Sequence, residues 1–146
     1  MSVVEASHWD FPALRAGGAV ALVFAVPFSI AARWAADNRD DSGLALLLSL
    51  CALGGFVLGA GCAAWVQRVG LPLQHGLTTA IVTYVAAQAV FIVIRLLRDG
   101  EVNWFAALFN LSMVAGAGLL GGVIGARLRS KGFAPSTGSP SDGGGR

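Results

Sequence analysis

Residues 16–32, 42–67, 76–94 and 102–126 contain no Asp, Glu, Lys or Arg. Each run is close to the ~20 apolar residues that a helix needs to cross ~30 Å of hydrocarbon. A chain built from four such runs takes the bilayer as its solvent. Only 12% of its residues are charged, against roughly 25% in a typical soluble domain. Its four tryptophans, Trp9, Trp34, Trp65 and Trp104, stand at the ends of the runs. Their rings are apolar while the indole N–H needs a partner, which suits the membrane–water boundary.

The expected fold is all-α: an antiparallel, up-down bundle of four transmembrane helices over about 12–36, 43–69, 73–97 and 103–129, in one domain spanning 1–131. Asp10 is placed to cap helix 1, and Pro12 suits its first turn. Pro27 removes one backbone donor inside that helix and predicts a kink. Arg33 and Trp34 stand where a cleaved leader would carry small residues, so the first run reads as a retained helix. The tight connection Gly70-Leu71-Pro72 makes helices 2 and 3 antiparallel neighbours. The tail 132–146, rich in Gly, Ser and Pro, is expected to be disordered.

Four spans put both termini on one side, with Arg15, Arg68, Arg127, Arg129, Lys131 and Arg146; the other side holds Arg33, Arg39, Arg95 and Arg98. The positive-inside rule then assigns both termini to the cytoplasm. Nine of the ten basic residues are Arg, which with the abundant Ala and Gly points to a GC-rich bacterial genome, and the expected location is a bacterial plasma membrane. A net charge of +2 without a basic stripe speaks against nucleic acid as a partner.

Small residues recur at four-residue spacing. Helix 1 carries Gly17 and Ala21, helix 2 carries Gly55, Gly59 and Ala63, and helix 4 carries Gly118, Gly121, Gly122 and Gly125. In lipid no hydrophobic effect drives helices together, so close backbone approach across small side chains has to do it. These are the candidate helix-packing residues, for one bundle or for a homo-oligomer or larger membrane complex. The phrase LGGFVLGA at 53–60 is echoed by LGGVIGA at 120–126. The echo suggests a duplicated two-helix hairpin, an architecture some small transporters use.

Helix 3 is the most polar. His75, Thr78, Thr79 and Thr83 fall on one side, with Tyr84, Gln88 and Arg95 roughly opposite. Gln88 and Asn110 of helix 4 come to similar depth, and a mid-membrane amide needs protein or water beside it. Thr79, Thr83, Gln88 and Asn110 are therefore the candidates for an interhelical hydrogen bond or a polar lining. His75, just after Pro72, reads as a solvated residue at a helix start.

No catalytic motif is found, and no cofactor or metal site. Cys51 and Cys62 lie about 16 Å apart along one helix at 1.5 Å per residue, too far to bridge within one chain. The uncharged runs hold no buried carboxylate of the sort proton pumps and cation carriers use. The segments Pro72-Leu73-Gln74-His75-Gly76-Leu77, Arg95-Leu96-Leu97, Leu108-Phe109-Asn110 and Gly121-Gly122-Val123-Ile124-Gly125 resemble the second half of small four-span bacterial membrane proteins of unknown function. That resemblance implies a four-helix fold in the plasma membrane and carries no catalytic residues. The expected role is structural or accessory and non-enzymatic, acting through helix–helix contacts in the lipid bilayer. The alternative is a small oligomeric transporter or channel with helix 3 lining the path.

Overall fold

The computed structural model describes residues 9–39, 42–98 and 100–133. The chain forms four helices: α1 (Phe11–Arg39), α2 (Ser42–Val66), α3 (Pro72–Leu96) and α4 (Trp104–Ser130). All four are long and apolar enough to cross a membrane. No strand occurs among the described residues. Residues 134–146 of the expected disordered tail lie outside the described residues, as do positions 40 and 41 between α1 and α2.

Local chemistry sets the helix ends. Asp10 caps α1, its Oδ1 accepting from the Ala13 N–H at 3.2 Å. Asn103 caps α4 in the same way, accepting from the Ala106 N–H at 3.0 Å. α1 continues through Pro27 to Arg39, past the expected end at 36. α2 stops at Val66 instead of the expected 69. The cause is Gln67. Its Oε1 accepts from the backbone N–H groups of Val69 and Gly70, both at 2.8 Å, so the side chain takes over amides that a longer helix would use. Gly70 then turns the chain at a φ of +84°, a left-handed conformation that glycine adopts without steric cost.

Around the bundle the order is α1, α2, α4, α3, with α1 and α4 out of contact. α2 touches all three other helices. It meets α3, the neighbour its short loop leads one to expect, but packs more extensively against α1 and α4. The reason is side-chain size. α2 carries small residues on two faces, so two backbones can approach it closely. A Cβ placed on Gly59 would fall 2.6 Å from the Ala21 Cβ of α1, and one on Gly125 of α4 would fall 2.7 Å from the Ala64 Cβ of α2.

The two hairpins, α1–α2 and α3–α4, repeat one packing scheme. Gly17 lies against Gly59 and Ala63, while Gly76 lies against Gly118 and Gly122. Ala21 lies against Gly59, while Ala80 lies against Gly118. In every case the second residue stands 59 positions after the first, as in Gly17 and Gly76 or Gly59 and Gly118. Both hairpins start from the same end of the bundle, so they are parallel repeats. This register departs from the one that the sequence echo suggests. The echo pairs Gly59 with Gly125, whereas packing pairs Gly59 with Gly118, about two helical turns away. Gly125 instead packs against α2, across the join between hairpins.

Candidate functional site

Between the hairpins the helices are close at one end and apart at the other. At the end where the described chain begins and finishes, here the terminal end, the backbones of α2 and α4 meet along Gly61, Gly121 and Gly125. Above that contact lies a core of small and apolar side chains from all four helices, including Ala21, Ala25, Phe56, Ala80 and Val114. Beyond it, toward the far end, the helices border a half-open chamber of about 550 Å³. Ligand pockets typically measure ~300–1,000 Å³. Its floor is made by Ala25, Phe56, Tyr84 and Val114.

The chamber sits where the hairpins face each other, and the 59-residue repeat explains why it is hollow. Besides Leu50 of α2 and Phe109 of α4, three pairs of equivalent positions from α1 and α3 line it: Ala25 and Tyr84, Ser29 and Gln88, Ala32 and Phe91. In each pair the α1 residue is small and the α3 residue large. The second hairpin projects bulky side chains into space that the first leaves open. Tyr84 is held by its hydroxyl, which donates to the Ala107 carbonyl at 2.9 Å. Its ring meets Phe56 edge-on, with centroids 6.2 Å apart.

The walls change character along the axis. Near the floor they are apolar. At the far end a second cavity of about 280 Å³ adjoins the first, sharing Arg33, Gln88, Phe91 and Asn110 with it. This vestibule adds Arg95 and Asn103. The Arg33 guanidinium stands over the Phe91 ring, 5.2 Å from its centroid. Arg95 donates from Nη1 to the Glu101 carbonyl at 3.0 Å. On the sides of α2 and α4 the chamber is open: Leu50 and Phe109 line it, yet are 54% and 58% exposed. The separation of α2 from α4 beyond their glycine contacts therefore leaves a lateral opening toward the surrounding medium.

Of the four polar candidates read from the sequence, Gln88 and Asn110 border both cavities. Thr79 and Thr83 border neither; they are buried lower in α3. Thr83 lies beside Gly18 of α1, and the Thr79 hydroxyl has no hydrogen-bond partner among the described residues. The small-residue candidates lie at helix crossings instead. Gly17, Ala21, Gly55, Gly59 and Ala63 join α1 to α2; Gly118 and Gly122 join α4 to α3; Gly121 and Gly125 join α4 to α2.

Arg33, Ser29 and Phe91 were missed in the sequence. One signal was available for Phe91. Together with Tyr84, Gln88 and Arg95 it stands at i, i+4, i+7 and i+11, which is one face of a helix. No family model, curated protein or solved structure matches this chain.

The terminal end is sealed by a polar cluster. His75 is fully buried, contrary to the solvated position expected for it. Its Nε2 accepts from the Asp10 N–H at 3.0 Å, so its Nδ1 carries the proton and donates to the Leu71 carbonyl at 2.9 Å. Trp9 packs on the imidazole with ring centroids 5.6 Å apart. Asp10 also accepts from the Arg68 N–H at 3.0 Å through Oδ2. Arg129 donates to the Gln67 carbonyl, and the Trp65 indole to that of Phe133. The start of α1, the α2–α3 loop and the end of α4 are thus tied together.

Proposed function

We propose that this is a small non-enzymatic membrane protein that holds an amphipathic molecule in the chamber between its hairpins. The observation that carries this reading is the graded, one-ended chamber. It is apolar at its floor, polar at its mouth and open sideways between α2 and α4. A molecule with an apolar body and a polar head would match that gradient and could enter from the bilayer. In this reading the glycine contacts form the scaffold, and the accessory role is exercised through the bound molecule. We place the protein in a bacterial plasma membrane with both termini in the cytoplasm, on the bias of the basic residues. The chamber then opens in the outer leaflet.

A transporter reading has one observation in its favour: Gln88 of α3 and Asn110 of α4 border the cavity between two parallel repeats. It requires a second conformation in which the α2–α4 glycine contact opens. Binding requires no such change, so it is the reading we adopt.

The test is native mass spectrometry of protein purified from membranes in mild detergent. Wild type is expected to carry bound lipid-sized adducts. Ser29→Phe fills the chamber and should remove them, as should Ser49→Phe from the α2 wall. Val23→Phe, at a position 68% exposed on the outer surface of α1, should leave them in place. Equal adduct levels in all four proteins would overturn the reading.

A further inference from the structure

We infer that the molecule held in the chamber is a phospholipid of net negative charge, with its phosphate in the vestibule between Arg33 and Arg95. This rests on the chamber being a binding site and adds the chemistry of what it binds. The groups lining the vestibule are donors suited to an anion. The vestibule is lined by two guanidinium groups and the amides of Gln88, Asn103 and Asn110, and by no carboxylate side chain among the described residues. Arg33 meets Phe91 through the ring face, a contact that does not use its N–H donors. Arg95 gives the Glu101 carbonyl one bond from Nη1 and retains its other donors. The Oδ1 of Asn103 is turned to the Ala106 N–H as the cap of α4, and its NH₂ remains a donor. A cavity with two guanidinium groups and no carboxylate among the described residues selects an anion, and phosphate oxygens match guanidinium geometry.

The adjoining chamber favours a lipid over a free anion. The vestibule is continuous with the apolar chamber through Arg33, Gln88, Phe91 and Asn110. A free phosphate would leave that chamber unfilled, whereas an acyl chain would occupy it and leave through the gap beside Leu50 and Phe109. Arg33 also lies six residues inside the end of α1. Trp34 beside it marks the membrane–water boundary, so this guanidinium stands at the level of lipid headgroups.

The experiment is a competition in mixed micelles containing equal amounts of phosphatidylglycerol and phosphatidylcholine, read by native mass spectrometry. Both lipids carry a phosphodiester anion, but the trimethylammonium of phosphatidylcholine brings a positive charge beside Arg33 and Arg95, so wild type is expected to retain phosphatidylglycerol about tenfold or more over phosphatidylcholine. The double variant R33Q/R95Q should bring that ratio toward one. Arg98→Gln removes an exposed arginine of the same end that lines neither cavity, and should leave the ratio unchanged. Ser29→Phe should lose both lipids. If Ser29→Phe sheds both lipids but R33Q/R95Q keeps the wild-type ratio, the anionic assignment is overturned and the chamber reading stands. If Ser29→Phe retains both, the chamber reading falls and this inference falls with it. If excess inorganic phosphate displaces phosphatidylglycerol, the site is one for a free anion and the lipid assignment is overturned.

Discussion

Gly17 and Gly59 meet backbone to backbone: a Cβ added to either one would lie 2.5 Å from the carbonyl oxygen of the other. The contact is reciprocal, so neither helix can yield to a methyl group without moving the other. Gly59→Ala is therefore expected to force α1 and α2 apart and to destabilise the protein by ~1–3 kcal/mol, the usual range for overpacking. Gly54 and Gly116 have no atom within 4 Å of such a Cβ. Alanine there should be neutral or stabilising, because it exceeds glycine in helix propensity by ~1 kcal/mol. Thermal unfolding in detergent compares the three variants. An unchanged midpoint for Gly59→Ala would remove the α1–α2 crossing described here.

His75 has both ring nitrogens engaged while fully buried. His75→Phe keeps the ring and its contact with Trp9 but leaves the Asp10 N–H without an acceptor. Orphaning a buried donor costs about 1–3 kcal/mol. The expected outcome is faster hydrogen exchange in the first turn of α1, with little change at its far end. Uniform protection in wild type and variant would show that the Asp10 contact does not hold the start of α1.

Gln67 organises the α2–α3 loop through one side-chain oxygen, which accepts from Val69 and Gly70. Leucine at this position would retain the bulk and remove the acceptor. Gln67→Leu is therefore expected to loosen the loop and to speed tryptic cleavage after the exposed Arg68 several-fold, since losing a net ~1 kcal/mol bond raises an open population about fivefold. Cleavage at the wild-type rate would mean that Gly70 and Pro72 alone set the turn.

The orientation carries its own test. Reporters fused after Gly132 are expected to be active only in the cytoplasm, and reporters inserted at Asn38 only outside. A C-terminus found outside would reverse the assignment and move the chamber to the inner leaflet, leaving its geometry unchanged.

The span count, the helix class and the approximate ends were legible in the sequence, because lipid admits few solutions. A backbone in hydrocarbon must satisfy its own polar groups, so four uncharged runs of about 20 residues read as four helices. The misplaced end of α2 shows the limit: hydropathy continues past Val66, but one glutamine oxygen captures the next amides. His75 shows the same limit, since its burial depends on Asp10, 65 residues away.

The chain by itself therefore determined where it crosses the membrane and which faces are smooth enough for close approach. Only the tertiary structure decided which smooth face meets which helix, because in lipid every small-residue row is a possible crossing and the winning set is a joint property of all four helices. That choice put Gly121 against α2 and Gly118 against α3, and set the hairpins in a 59-residue register. It also brought Ala25, Ser29 and Ala32 opposite Tyr84, Gln88 and Phe91, and so opened the chamber. Side-chain volume can be read along a chain, but a void exists only between elements that have already been paired.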